Sequence, residues 1–239
     1  EHKEEITATV KQFMLDNYFT EVTVHNLVGA NEYVSVLFES HGELTYYSYV
    51  NVPVDITQEK VFYDQIDSVN GVIESAITSA MYQRIFAEEF KRLDEYLNET
   101  VKNHKLIGIS EEALASVSAR GFGTPFYLVS AESGELNPLY ESYIEKKGQD
   151  FDKLLQSIDK EQIKEAHANI TIILFMEEEN INPSKAAFNS IVGDIEEMQG
   201  LPPGNYSIIL NDNDISTAYG KGTKDSQLIK GPPERIIKN

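Results

Sequence analysis

The chain has 239 residues, enough to bury one large core or two small ones, and its 41% apolar and 25% charged content is that of a folded protein. A formal net charge of −19 argues against a nucleic-acid or anionic-membrane partner, because phosphate repels such a body and no counterion release favours the contact. The chain has no cysteine, which excludes disulfides, thiolate zinc sites and thiol nucleophiles.

Ile6, Val10, Phe13 and Met14 recur at helical spacing and predict an amphipathic helix from about Lys3 to Asn17. Period-two runs follow: Val22, Val24 and Val28 on one face, then Val34, Val36 and Phe38, then Leu44, Tyr46, Val50, Val52 and Val54. With "LVGANEY" and "SHGE" as turns, this reads as a three-strand antiparallel meander. The opposite faces carry Thr23, His25, Tyr33, Leu37, Tyr47 and Tyr49, too aromatic for a plainly solvated surface, so a helix is expected to cover them.

Apolar residues then step by one, three or four from Val69 to Val101, which predicts one long helix or two joined by a kink, with Asp67 or Ser68 capping its start. Ser110 can cap a short helix, and "RGFGTP" is a loop into the apolar run "FYLV" at 126–129. Two or three modest helices are expected between Leu136 and Ala168, broken at Gly148. "ITIILFM", 170–176, has the continuous apolar character of a central strand. Asn182-Pro183 predicts the start of a helix that Gly200 ends, and "YSIIL", 206–210, is the last strand. From Ser216 onward five basic residues face two acids in a stretch poor in large apolar side chains, which predicts a polar, partly flexible tail. The expected fold class is α+β: residues 1–105 as a helix, meander and long helix; 106–212 as a second lobe with a mixed sheet; 213–239 as the tail. No stretch approaches the ~20 apolar residues of a membrane helix.

The densest chemistry is "IILNDNDIS", 208–216. If strand 170–176, helix 183–199 and strand 206–210 form a βαβ unit, the strands are parallel and end on one sheet edge. That edge would gather Glu177, Glu178, Glu179, Asp212 and Asp214, oxygen donors of the kind a hard cation takes. The alternative is a solvated acidic rim, and it is the stronger reading. An EF-hand loop is rejected: counting from Asp212, Thr217 stands where glycine is needed and Thr223 where glutamate is needed. His2, His25, His41, His104 and His167 lack the spacing of a helical zinc pair and read as surface or turn residues. "GFGTP" precedes a strand, the wrong context for a phosphate cradle. The sequons at Asn98, Asn169 and Asn205 carry no weight, two of them opening predicted buried strands. No catalytic, cofactor-binding or metal residue is assigned, and no cofactor is expected.

Across "VKQFMLDNYFTEVTVHNLVGA", "EEFKRLDEYL", "GFGTPFYLVS" and "EEMQGLPPGNYSIILNDN" the chain resembles a family of lipoproteins of unknown function from Gram-positive bacteria. The resemblance implies a secreted protein with a signal peptide and a lipid-modified cysteine, both outside this chain, and implies no activity or functional residue. The expected role is a non-enzymatic envelope protein that binds a partner or small ligand at the outer face of the cell membrane. An envelope hydrolase with a carboxylate pair is the alternative, and a surface protein with no ligand is a third reading.

Overall fold

Helix α1 (Lys3–Tyr18) turns Ile6, Val10, Met14 and Tyr18 inward, one residue per turn, onto a four-stranded antiparallel sheet. That sheet runs in order β1 (Glu21–Gly29), β2 (Tyr33–His41), β3 (Tyr47–Asp55) and β4 (Lys60–Val61). The computed structural model describes all residues except 1, 70, 118–120, 133, 164–167 and 214–225. Its mixed α+β character is the one expected. The chain divides into two compact units, each assembled from several segments.

The first unit holds α1, the four strands, helix α2 (Val72–Ile85), and helices α5 (Asn137–Glu145), α6 (Phe151–Leu155) and α7 (Lys160–Ile163). Most of the short helix α4 (Glu111–Val117) also belongs here. Val36, Phe38, Val50 and Val52 from the sheet meet α1 and the buried side of α2, where Ile73, Ala76, Ile77, Ala80 and Met81 are fully enclosed. Tyr18 Oη donates to Glu74 Oε1 at 2.9 Å and ties the end of α1 to the start of α2. Ser79 Oγ accepts from Ala131 N at 2.9 Å and donates to Ser75 O, two bonds made away from water.

One strand departs from simple alternation. The β1–β2 register shifts between Val24 and Asn26, a β-bulge that adds a residue to β1. Val22 and Val24 face inward as expected, but beyond the bulge the phase inverts. Leu27 turns in against the core, and Val28 is 49% exposed instead of sharing their face. The opposite face is only partly covered. Asn26 Nδ2 donates to Ser116 O of α4, and Tyr47 pairs with Gly121, while Tyr33 remains exposed.

The long helical run is two helices. α2 ends at Ile85 and α3 (Ala87–His104) begins after Phe86, whose ψ of 32° leaves the helical region. The break sits where the chain passes from the first unit to the second. Asp67 Oδ1 accepts from Val69 N, closing a turn ahead of α2 and not capping the helix itself.

In the second unit, β8 (Ala168–Met176) and β9 (Gly204–Asn211) are parallel neighbours joined through α8 (Lys185–Glu197), the βαβ unit predicted. Ser184, not Asn182, caps α8, its Oγ accepting from Ala187 N at 3.2 Å. Gly204 starts β9 at φ +142°, where a Cβ would stand 2.7 Å from Ala168 O, so only glycine lets β9 begin this close to β8. Short strand β5 (Leu106–Ile107) is antiparallel to β8, and Phe90 of α3 stacks on Tyr127 of β7 (Tyr127–Ala131) at 5.7 Å. A further short strand, β6 (Phe122–Gly123), precedes β7. The end of the chain is ordered: β10 (Leu228–Lys230) and β11 (Ile236–Lys238) both pair antiparallel with β9. Lys238 Nζ donates to Glu196 O and Met198 O, satisfying carbonyls left free at the end of α8. The part of the predicted tail at 214–225 lies outside the described residues.

Two core hydroxyls make opposite predictions. Ser79→Ala leaves the Ala131 N–H without its acceptor and should lower unfolding free energy by ~1–3 kcal/mol. Tyr46 is 2% exposed and its hydroxyl has no hydrogen-bond partner among the described residues, so Tyr46→Phe should leave stability unchanged or raise it. Urea denaturation of both variants checks the pair; a Tyr46→Phe variant as weak as Ser79→Ala contradicts this reading.

Candidate functional site

The acidic edge is where the βαβ unit puts it, but among the described residues its carboxylates do not converge. Glu177, Glu178 and Glu179 are exposed after β8, whereas Asp212 is 1% exposed and accepts a 2.5 Å hydrogen bond from Ser226 Oγ. The contacts between the two strand ends are made by amides: Asn213 Nδ2 donates to Glu177 O, and Asn211 Nδ2 to Leu174 O. Asp214 lies outside the described residues. Among the described residues no group of three or more His, Asp or Glu side chains is arranged to hold a metal.

The histidines disperse. His25 Nε2 reaches Glu39 at 3.1 Å and His41 Nε2 reaches Thr23 at 2.6 Å, separate pairs on the exposed face of β1 and β2. His104 ends α3, and His167 is outside the described residues. In "GFGTP" the Thr124 hydroxyl accepts from Phe126 N and Tyr127 N, an internal turn and not an anion cradle. Among the described residues Asp94 is the carboxylate whose pKa is pushed up, chiefly by burial, and its partner is Tyr127.

The concave chemistry lies elsewhere, around α1. At ~1.5 Å per residue the buried stripe from Ile6 to Tyr18 spans about 18 Å. A nine-residue strand such as β1, at ~3.3 Å per residue, runs about 26 Å. Because β1 starts beside the end of α1, the sheet outruns its helix at the other end, near the β1–β2 and β3–β4 turns. There the inward side chains of Leu27, Val34, Val54 and Val61 are only half-buried, above the enclosed Ile6. Ile6, Leu27, Val34, Val54, Ile56 and Val61 thus line an open groove of about 600 Å³, with His2, Lys3, Asp55, Glu59 and Lys60 among its polar lining. That volume falls within the ~300–1,000 Å³ common for small-molecule sites. Ile56, 63% exposed, stands in the β3–β4 turn, and Asp55 Oδ1 braces that turn by accepting from Thr57 N, Thr57 Oγ1 and Gln58 N. Those bonds, the Thr57 hydroxyl first, lower the Asp55 pKa.

A second, smaller groove of about 290 Å³ runs on the other flank of α1, between Phe13 and Asp16 on the helix and Tyr63 and Ile66 on the loop after β4. Tyr63 Oη donates to Glu5 Oε2 at 2.5 Å, and His2 Nδ1 lies 3.1 Å from both oxygens. The Tyr63 bond, with His2 second, lowers the Glu5 pKa, while the Glu5 carboxylate raises that of the Tyr63 phenol to about 12. This exposed clasp fixes the first turn of α1 between the two grooves.

Periodicity did not reveal the first groove, because the bulge moves Leu27 inward against the expected alternation. The signal present in the chain is Ile56, an isolated aliphatic residue inside the polar turn "DITQEK".

Fold and groove together define a mixed α+β protein with an aliphatic groove at the open end of a curled antiparallel sheet. The chain belongs to the family described as "Protein of unknown function (DUF1672)", whose pattern matches residues 1–238. It is similar to the crystal structure of a DUF1672 family protein from Staphylococcus aureus subsp. aureus Mu50, with a TM-score of 0.71, 18% identity, and coverage of 100% of this chain and 89% of that one. At that identity the likeness shows the fold alone. No curated protein matches the chain. Among the described residues no helix is long and apolar enough to cross a membrane.

The clasp makes a pH prediction. A lowered Glu5 pKa stabilises the folded state above the ordinary glutamate pKa, and that contribution is lost as pH falls through the lowered value. Carboxyl NMR titration should place Glu5 below the ordinary glutamate range and return it there in Tyr63→Phe. An unchanged Glu5 midpoint in that variant contradicts the clasp.

Proposed function

We propose that this is a non-enzymatic binding protein of the bacterial cell envelope, held at the outer face of the membrane through a lipid anchor outside this chain, and that it takes a small apolar ligand in the groove beside α1. The observation that carries the binding role is the groove itself. Six aliphatic side chains from five elements and a turn surround one concavity: Leu27, Val34, Val54 and Val61 half-buried, Ile6 buried at its floor and Ile56 exposed at its edge. Ordinary folding buries such side chains fully; here the bulge in β1 turns Leu27 inward where the short stripe of α1 no longer covers the sheet, so Leu27, Val34 and Val54 stay half-buried. The envelope address is supported by the four segments that resemble Gram-positive lipoproteins and by family membership shared with a staphylococcal protein.

The neutral apolar dye N-phenylnaphthylamine, mixed with the purified chain, should brighten and saturate at a single site. Ile56→Glu, which places a charge in the groove from an exposed position and so spares the fold, should abolish the increase. Full brightening in Ile56→Glu with native circular dichroism contradicts the assignment. For the address, protease treatment of intact cells should digest the natural protein while cytosolic markers survive.

A further inference from the structure

We propose that the second, smaller groove beside α1 takes a small organic cation, an ammonium group carried on one ring or short apolar body; this does not rest on the apolar groove proposed above. The helix supplies half of the site. Thr9, Gln12, Phe13, Asp16 and Asn17 recur at spacings of one, three or four and so share one face of α1, while Tyr63, Asp64 and Ile66 face them from the loop after β4. Phe13, Tyr63 and Ile66 are half-buried: each packs against the core of the first unit and also lines the groove. Two aromatic rings and an aliphatic side chain accept an apolar body, and the rings attract a weakly hydrated cation.

The charge of the lining is one-sided. Asp16 and Asp64 line this groove, and no Lys, Arg or His does. The two lysines of α1 lie elsewhere: Lys3 lines the larger groove, and Lys11, two residues from both Thr9 and Phe13, turns to another side of the helix. Glu5 adds a further negative charge beside the groove, in its clasp with Tyr63 and His2. Gln12 Nε2 donates to Asp16 Oδ1 at 2.7 Å, which orients that carboxylate and leaves its second oxygen to an incoming N–H. A cation therefore meets carboxylates that no basic residue in the lining answers, and the net charge of −19 raises its concentration near the surface. The walls decide against a bare metal ion. A hard divalent cation takes six or more oxygens, and among the described residues no group of three acids or histidines is arranged to hold one. Rings beside carboxylates suit a cation with an apolar body instead. The groove's volume of about 290 Å³ is at the lower end of the ~300–1,000 Å³ of small-molecule sites, so the ligand is a single small molecule and not a length of chain.

The test is amide NMR of the isotope-labelled chain, titrated at neutral pH and physiological ionic strength with phenethylammonium, neutral phenethyl alcohol and anionic phenylacetate. Phenethylammonium should move the amides of Thr9, Phe13, Asp16, Asn17 and Asp64 along one saturable curve, about tenfold tighter than phenethyl alcohol, with phenylacetate weaker still. Ile56→Glu should leave that curve unchanged, which separates this site from the larger groove. In the double variant Asp16→Asn, Asp64→Asn, both exposed positions, phenethylammonium should bind no better than the alcohol while circular dichroism stays native. If the alcohol or phenylacetate binds as tightly as the ammonium, or if the folded double variant keeps the preference, the proposal fails. Shifts that grow without saturation over the whole acidic surface would show a counterion atmosphere and no site. Saturation of the same amides by calcium but not by phenethylammonium, or by a lysine-rich peptide at lower concentration, would assign the groove to a metal ion or to a partner's side chain and overturn the proposal.

Discussion

A mismatch of lengths governs the first unit. Helix α1 covers its sheet through one inward residue per turn, and that stripe stops at Ile6, while the strands continue toward the β1–β2 and β3–β4 turns. The bulge in β1 sharpens the mismatch, since it turns Leu27 inward at the point where helix cover ends. Hydrophobic burial is therefore complete at Val36, Val50 and Val52, each fully enclosed, and incomplete at Leu27, Val34 and Val54. The groove follows from covering a long sheet with a short stripe, and it is built from the same side chains as the core. The clasp of Tyr63, Glu5 and His2 joins the first turn of α1 to the loop after β4, beside the opening.

The acids follow a different rule from the one their clustering in the sequence suggested. Parallel pairing of β8 and β9 does bring the two acidic strand ends to one edge, but burial separates them: the three glutamates stay in water and Asp212 turns into the protein toward Ser226. Backbone carbonyls and amide side chains, not carboxylates, join the strand ends. The basic residues near the chain's end have structural work: Lys238 closes α8, and Arg235 donates to Asn169 Oδ1 at the start of β8. Cations here meet carbonyl and amide oxygens as readily as carboxylates, which composition alone could not indicate.

Much of the architecture was legible because period and length carry it. The α1 stripe, the meander and the β8–α8–β9 unit all rest on runs long enough for their periodicity to be unambiguous. What escaped was set by single residues or distant pairing. A one-residue bulge inverts the end of β1 without altering composition. A kink in the long helical run was one of the two readings, but its place at Phe86 was not, since neither glycine nor proline marks it. Ser184 takes the cap that Asn182 seemed placed to supply, and β10 and β11 exist because β9 offers an edge, a partner about which a three-residue strand carries no information. The groove belongs to this second kind: its aliphatic walls come from α1, all four strands and the β3–β4 turn, and no single run of sequence marks it.

The central claim is that the core of the first unit opens at the Ile6 end into the larger groove. Methyl-selective NMR of the isotope-labelled chain, titrated with a neutral aliphatic alcohol, tests it most directly. Resonances of Ile6, Leu27, Val34, Val54, Ile56 and Val61 should move together along one saturable curve, with the enclosed methyls of Val36 and Ile77 unmoved. Shifts confined to other exposed methyls such as Ile229 and Ile237, or spread without saturation over the whole surface, would contradict it.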